Sequence, residues 1–588
     1  MVDLTIKIAG AAGQGMQTIS TILARSLTRQ GYYVYCYQDL MSRIRGGHNY
    51  ATIRISDHPV GGLSEESNIL IALNAESVKL HSGEMIPNGV IVYDDKLQPF
   101  DKAQGKNEDL EIQNDELNLF PVPMEKLAVE AGQNKILVNS VACGVCFNLM
   151  EYDFDVLADT LGDIFAAKGD AMVEANIRAA RAGYEYARKN FPEGTCPYCQ
   201  LKLEREKSKA RLLMNGSQAA GLGAILSGLK FMSAYPMSPS TGIMEYIASQ
   251  QVELGIIMEQ AEDEIAAINM ALGASFAGVR SMTATSGGGF ALMTEGLSLA
   301  GMTETPLVIF LAQRPGPATG LPTRTEQGDL MFALYGGHGE FPRAILAPGD
   351  AEETVHCMNR AFNLADRYQI PVIILGDQNL NDSFWTVDAI DPGRFSIDRG
   401  KLLDKWDETQ EEYKRYHLTP DGISPRLIPG SPGAVGYWDS DEHTEEGHIA
   451  ESASVRRQMT AKRMKKIQSL QAEALAPVMC GTGDQVLLIG FGTTKWPVMK
   501  AVEALARKGE KISGLHIKQP YPLSSEIRTI SEGFSKIIVV EQNATGQLEK
   551  LLLTESGIKA SGSIRKFDGR PITAKYIVDS YETVRQTL

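Results

Sequence analysis

A strand–turn–helix alternation that recurs in three blocks, and fails between them, constrains this chain most. Residues 4–9 read as a buried strand, 10–15 as a glycine turn, 18–30 as a helix ending at Gly31, and 34–38 as the next strand. The pattern returns with strands at 231–235, 307–312 and 372–375 and a helix at 265–276. It returns again with strands at 486–490, 512–517 and 536–541 and a helix at 495–508. Short apolar runs followed by turns and then by helical periodicity belong to α/β folds. Between the blocks, 193–211 is a charged connector carrying Cys196 and Cys199. Residues 384–475 are rich in Asp, Glu, Pro, Gly and Lys, and end in a basic helix at 455–470. The expected architecture is α/β with three domains, at 1–192, 212–383 and 476–588, separated by the connector 193–211 and an irregular excursion 384–475. A chain of 588 residues needs several domains in any case, because single cores rarely grow beyond about 250–300 residues.

Several function classes drop out early. The formal charge of −15 argues against a nucleic-acid surface as the main business. No stretch reaches the roughly 18 apolar residues of a membrane helix. Asp3 and Lys7 interrupt any signal-peptide pattern, so a cytoplasmic protein is expected. Its seven cysteines are then expected to be mostly thiols.

Six motifs sit at strand ends or turns. Gly10-Ala-Ala-Gly13-Gln-Gly15 lets backbone approach a phosphate in front of a helix start, but a plain tight turn explains it equally. With Asp39 beyond the second strand, a nicotinamide site also stays open. Arg43-Ile-Arg45-Gly-Gly-His48-Asn49 can grip a polyphosphate through guanidinium groups or be a hairpin with solvated arginines. Tyr235-Pro236-Met237-Ser238-Pro239-Ser240-Thr241 holds a hydroxyl between two prolines, or is a proline-shaped entry to a helix. Glu259, Glu262, Asp263 and Glu264 precede the apolar stripe Ile265, Ile268, Leu272, Phe276. The dipole favours acids at a helix start, yet four of them leave one free to face a cofactor. Thr283-Ala-Thr285-Ser286-Gly-Gly-Gly289 can cradle a ring or a phosphate. Arg314-Pro-Gly-Pro-Ala-Thr-Gly-Leu-Pro-Thr323-Arg324 puts an arginine at the end of an apolar strand, where α/β sheets bind ligands and a guanidinium clamps a carboxylate.

The remaining candidates read as structural. Cys143 and Cys146 fall in a stretch that reads as a buried helix. Cys196 and Cys199 read as a solvated or weakly redox-active pair. Their separation from the first pair exceeds ordinary zinc spacing, and no cysteine run matches a ferredoxin-type cluster set. His443 and His448 read as hydrogen-bonding loop residues. No metal site is expected on this chain.

Taken in order, these motifs resemble the alpha subunit of a two-subunit 2-oxoacid:ferredoxin oxidoreductase with a gamma domain fused at its N-terminus, and the resemblance covers nearly the whole chain. The turn at 10–15 and the Arg45-Gly-Gly-His-Asn49 string are similar to the gamma domain. The segments 235–241, 283–289 and 314–323, with Glu262, resemble the pyrimidine-binding domain for thiamine diphosphate. The unit from Val486 resembles a transketolase C-terminal domain. The resemblance implies coenzyme A-dependent oxidative decarboxylation of a 2-oxoacid, or the reverse carboxylation, with electrons passing to ferredoxin. The Arg314–Thr323 string points to 2-oxoglutarate, with pyruvate or a broader 2-oxoacid range as the alternative. It implies Glu262 as the carboxyl on the aminopyrimidine, with Glu264 and Glu259 behind it. Tyr235, Pro236, Thr285 and Ser286 would line the cofactor; Arg314, Ser238 and Thr323 would contact the substrate. Gly10, Gly13, Gly15 and Arg45 would serve coenzyme A. Ser238 stands where the family has threonine, and Met237 where it has isoleucine. No Gly-Asp-Gly string exists, the nearest being Gly376-Asp377-Gln378-Asn379. Mg2+, the diphosphate and a [4Fe-4S] cluster are therefore expected on a beta subunit, in a dimer of alpha–beta heterodimers, and this chain alone should be inactive. The rival readings are an NAD-dependent dehydrogenase built on the first glycine turn and a non-catalytic scaffold subunit.

Overall fold

The computed structural model describes residues 3–42, 46–97, 116–192, 194, 196, 199, 211–407 and 412–586. The chain divides into two compact units, Met1–Met214 with Ser383–Ala389, and Asn215–Asp382 with Ile390–Leu588.

The first unit is built on an eight-stranded sheet in the order Asn118–Val122, Met85–Asp94, Ser67–Ala72, Asp3–Ala11, His48–Ser56, Tyr33–Asp39, Phe384–Asp388, Arg211–Asn215. Asp3–Ala11 pairs in parallel with Ser67–Ala72 and antiparallel with His48–Ser56, so His48 faces Ala11 across the ladder. Ile6, Ile8, Ile19, Leu23, Val34, Ile53 and Ile69 are all buried in one core. Val138–Leu149 is a helix that buries the free thiols Cys143 and Cys146, as its apolar run predicts.

Two expectations fail in this unit. Cys196 and Cys199 are not solvated: both are buried in the core and joined as a disulfide, while the other five cysteines are free. The charged connector around them hides the packing from any composition-based reading. The excursion after residue 383 does not begin irregularly either. Phe384–Asp388 is a strand whose Phe384 and Trp385 pair with Cys36 and Tyr35, with alternate residues buried. Phe384 beside the buried Trp385 breaks the apolar–polar alternation, so the period-2 signal rests on Trp385 and Val387 alone.

In the second unit a six-stranded, all-parallel sheet runs in the order Ala344–Leu346, Pro371–Asp377, Leu307–Gln313, Arg280–Thr285, Leu229–Ala234, Ile257–Gln260. Leu307–Gln313 and Pro371–Asp377 are nearly continuous apolar runs, as strands covered on both faces require, whereas the edge strand Ile257–Gln260 is largely exposed. Starting from Leu229–Ala234, the chain steps outward to Ile257–Gln260, then crosses back to Arg280–Thr285. That reversal opens a crevice at the carboxyl ends of Leu229–Ala234 and Arg280–Thr285, the place where doubly wound sheets hold ligands. A five-stranded sheet follows, ordered Val478–Gly481, Ile512–Ile517, Val486–Phe491, Lys536–Glu541, Gly562–Arg565, with only the first strand antiparallel. Ile309, Ile373, Leu487 and Leu515 share one core, so the two sheets are packed together.

Buried ion pairs hold the excursion onto the parallel sheet. In the helix Ala453–Ala472, Lys462 and Lys466 reach Glu304 at 2.6 and 2.5 Å, with all three side chains about 1 % exposed or less. Asp366 receives Arg280 at 2.8 Å and Arg426 at 3.4 Å. Burial raises the Glu304 carboxyl, but the two ammonium groups outweigh it and hold the group well below the usual carboxylate range. The basic helix therefore spends its charge inward, which a charge count along the sequence cannot show.

Candidate functional site

The crevice collects four of the six sequence motifs, because each lies just past the carboxyl end of a strand. Tyr235 to Thr241 follows Leu229–Ala234, the acidic segment follows Ile257–Gln260, the glycine turn follows Arg280–Thr285, and Arg314 to Arg324 follows Leu307–Gln313. Arg314 Nη1 donates to the carbonyl oxygen of Ser238 at 2.6 Å, tying two of these loops together.

The floor of the crevice is the turn into the helix Gly287–Met302. Four side-chain oxygens around it are shielded from solvent and have no hydrogen-bond partner: Glu264 Oε1, Thr283 Oγ1, Ser286 Oγ and Asp329 Oδ2. An unpaired buried polar group costs about 1–3 kcal/mol, so four around one turn mark a place kept for something else to bind. The glycines make room for the carboxyls. A Cβ on Gly287 would lie 2.6 Å from Asp329 Oδ2, and one on Gly289 would lie 2.1 Å from Thr285 Oγ1 and 2.6 Å from Glu264 Oε1. The sequence leaves a ring and a phosphate equally open at this turn; in the fold its glycines clear space for two acids.

The acids divide by surroundings. Glu262 and Glu259 are exposed. Asp263 caps the helix Glu264–Phe276 by accepting from Ala266 N–H at 2.7 Å. Glu264 is 4 % exposed and reaches the glycine turn. Asp329 went unnoticed in the sequence. It precedes the short helix Leu330–Tyr335, and its N–H donates to Gln313 Oε1 at 3.0 Å. Burial raises its carboxyl to about 6, against the opposing pull of the Arg314 guanidinium. Burial lowers Arg314 in turn, partly offset by Asp329. Only the spacing of Asp329 from Arg314, on a loop crossing the same sheet end, could have drawn attention to it.

The other predicted residues are placed as follows. Thr285 and Ser286 are buried in the turn; Tyr235 and Ser238 are exposed at the crevice edge; Pro236 and Thr323 are half-buried. A buried carboxyl and buried hydroxyls with free lone pairs suit the nitrogens of an aminopyrimidine ring, so this wall fits that end of thiamine diphosphate. The Gly376-Asp377 string is committed elsewhere. Asp377 is buried, accepts from Leu380 N–H at 2.8 Å and bonds the Thr493 hydroxyl. Among the described residues no group of three His, Cys, Asp or Glu side chains is arranged to hold a metal ion.

In the first unit, the turn after Asp3–Ala11 is latched by Gln14. Its Oε1 accepts from Ala11 N–H at 2.6 Å and from Asn74 Nδ2 at 3.1 Å, and its Nε2 donates to Leu73 O at 3.2 Å. Gly10 is buried against Gln14 and Leu73, and Gly15 lies against Asn139, whereas a Cβ on Gly13 would meet nothing within 4 Å. Beside the turn, His48 Nε2 lies 2.8 Å from His81 Nε2, and His81 Nδ1 lies 2.7 Å from Glu84, which also receives Lys7. His48 Nδ1 has no partner. Arg45 lies outside the described residues.

Comparison with known proteins agrees with this layout. Residues 222–462 match the family model described as pyruvate flavodoxin/ferredoxin oxidoreductase, thiamine diP-bdg. Residues 5–186 match the one described as pyruvate ferredoxin/flavodoxin oxidoreductase. A 2-oxoacid:ferredoxin oxidoreductase subunit alpha of a Sulfolobus species is 32 % identical over 96 % of this chain and 94 % of its own length. The 2-oxoglutarate oxidoreductase subunit KorA of Mycobacterium tuberculosis is 27 % identical over 94 % of this chain and 87 % of its own. The solved 2-oxoglutarate:ferredoxin oxidoreductase of Magnetococcus marinus, with 2-oxoglutarate, coenzyme A and succinyl-CoA bound, superposes with a TM-score of 0.90 at 33 % identity, over 99 % of this chain and 100 % of that one. With this likeness along its whole length, the chain belongs to the family of 2-oxoacid:ferredoxin oxidoreductase alpha subunits.

Proposed function

We propose that this subunit acts on 2-oxoglutarate, converting it with coenzyme A to succinyl-CoA and carbon dioxide, or running the reverse carboxylation, in a cytoplasmic dimer of alpha–beta heterodimers. The beta subunit holds the diphosphate, Mg2+ and a [4Fe-4S] cluster and passes electrons to ferredoxin. The relatives named for 2-oxoglutarate and the solved relative with 2-oxoglutarate bound support this substrate. The observation that carries the reading is the set of four unpartnered oxygens around the glycine turn.

Within that site Glu264 is the carboxyl for the pyrimidine ring, in preference to Glu262. It is buried, it has a free oxygen, and Gly289 leaves room for it. Bound thiamine diphosphate supplies a carbon nucleophile and an electron sink at the 2-oxo carbon. Glu264 holds and returns a proton at the ring nitrogen facing it. The hydroxyls of Thr285 and Ser286 orient the ring, and Tyr235 and Pro236 wall its edge. Arg314 takes the substrate carboxylate, in a loop pinned by its bond to Ser238 O. Ser238 and Thr323 contact the rest of the substrate. Residues 1–192 form the coenzyme A-associated domain, with Gly10, Gly13, Gly15 and Arg45 serving coenzyme A.

The test is 2-oxoacid-dependent viologen reduction by the reconstituted alpha–beta complex. Removing a positioned proton-transfer group costs about 10²–10⁴ in rate. Glu264→Gln is expected to lose activity in that range while Glu262→Gln keeps most of it, and kcat/KM is expected to be higher for 2-oxoglutarate than for pyruvate. Near-normal activity of Glu264→Gln defeats the assignment.

A further inference from the structure

The only disulfide among the seven cysteines joins Cys196 to Cys199, and nothing in the 2-oxoacid reaction uses it. A disulfide stabilises mainly by closing a loop in the unfolded chain, and its effect grows with loop length. A separation of three residues closes nearly the smallest loop possible, so stability alone gives little reason for the bond.

The two sulfurs have different surroundings. Cys199 is 0 % exposed and lies in the core of the first unit. Its Sγ is 4.0 Å from Asn68 O, an acceptor ready for an S–H. Cys196 is 4 % exposed and lines a cavity of about 250 Å³ together with Tyr184, Arg188, Phe191, Asn148 and Glu151. Arg188 also pairs with Glu185. Thus one sulfur borders a space large enough for a small thiol, with a guanidinium on its wall to favour thiolate. The other is enclosed and has a place for its proton. A sulfur that can be attacked and a buried sulfur that can leave are what thiol–disulfide exchange requires.

We propose that Cys196 and Cys199 form a thiol–disulfide exchange site for a low-molecular-weight thiol, with Cys196 the attacked sulfur and Cys199 the leaving and resolving one. In the reductive direction a small thiolate attacks Cys196 Sγ, an S–S bond forms, and the Cys196–Cys199 bond breaks. The electron pair goes to Cys199 Sγ, which takes a proton and donates to Asn68 O. A second small thiolate then attacks the small thiol's sulfur in the mixed disulfide, releasing the small disulfide and the Cys196 thiolate. In sum, one protein disulfide and two small thiols give one protein dithiol and one small disulfide. The reverse reoxidises the pair and needs only that small disulfide.

The experiment uses the intact alpha–beta complex without denaturant, with 2-mercaptoethanol as reductant and its disulfide as oxidant; timed alkylation of the native complex at neutral pH is stopped with acid and read by peptide mass spectrometry. The buried thiols Cys36, Cys143, Cys146 and Cys357 serve as internal references. Cys196 and Cys199 are expected to become alkylated at least tenfold faster than these once reductant is added, and to be protected again by the oxidant. In Cys199→Ser the oxidant is expected to leave a mercaptoethanol adduct on Cys196. In Cys196→Ser the adduct on Cys199 should form at least tenfold more slowly. Labelling of the wild-type pair only after unfolding overturns the proposal, and that measurement needs no variant to fold. Equal adduct rates in the two variants, or a faster one on Cys199, overturn the assigned roles.

Discussion

Replacing Asp329 by Asn should stabilise the isolated chain, and by an amount that depends on pH. Its carboxyl ionises at about 6 in the folded chain against an ordinary value of 3.8, because burial outweighs the attraction of Arg314. Between those values the folded state holds a proton that the unfolded state has released, so stability falls as pH rises through this window and the loss is complete above pH 6. At about 1.4 kcal/mol per unit, the ionised group costs roughly 3 kcal/mol. Between pH 5 and pH 8 the remaining part of that loss is about 1.4 kcal/mol. Asparagine keeps the shape without titrating. Its advantage over wild type should therefore grow by about 1.4 kcal/mol from pH 5 to pH 8, or about 2 °C in the unfolding midpoint of a unit this large. Differential scanning fluorimetry of both chains, buffered at half-unit steps from pH 5 to pH 8, reads this directly. A difference that is flat with pH, or that shrinks as pH rises, refutes the claim that a buried, unpaired carboxyl sits against Gly287.

Other perturbations test the neighbouring residues. Arg314→Ala removes a charge-assisted clamp worth about 2–3 kcal/mol, so KM for the 2-oxoacid should rise about 30–150-fold while thiamine diphosphate affinity, followed by calorimetry, stays near wild type. Gly289→Ala places a Cβ 2.1 Å from Thr285 Oγ1 and 2.6 Å from Glu264 Oε1. It should weaken thiamine diphosphate binding at least tenfold in the reconstituted complex. Glu304→Gln strands two buried lysine ammonium groups and should cost about 3–5 kcal/mol; hydrogen exchange is expected to accelerate across residues 453–472 first.

The sequence made the sheet-bearing blocks legible because buried parallel strands are apolar throughout and glycine marks their exits. Leu307–Gln313 and Pro371–Asp377 stand out for that reason. The loops of the crevice were legible too, since each follows such a strand. The role of individual acids was not. Glu259, Glu262 and Glu264 differ in burial, not in chemistry, and burial at a helix start depends on which side of the first turn meets the next strand. Asp329 lies 15 residues beyond Arg314 in a stretch without periodicity, so only the fold brings it to Gly287. The strand Phe384–Asp388 was missed for a related reason. It completes the sheet of the first unit although its chain neighbours belong to the second, and local patterning carries no information about a partner more than 300 residues away.

The chemistry of the free groups says which part of a cofactor the crevice can take. Two carboxyls and two hydroxyls with unused lone pairs recognise a neutral ring with N–H donors and exchange a proton with it. They would repel a diphosphate. The Arg314 guanidinium, at this end of the sheet, is held by Ser238 O on one side and by the field of Asp329 on the other, a setting scaled to a single carboxylate. A diphosphate with its cation needs an opposite set: backbone N–H groups facing outward, a metal-binding acid and an amide. The one string of this chain that resembles such a set, Gly376-Asp377, is spent on the Thr493 hydroxyl and on Leu380 N–H inside the packed interior. On the proposed reading, the four unpaired oxygens form half of a bipartite pocket, complete when a partner subunit brings the phosphate end and places the ring against Glu264.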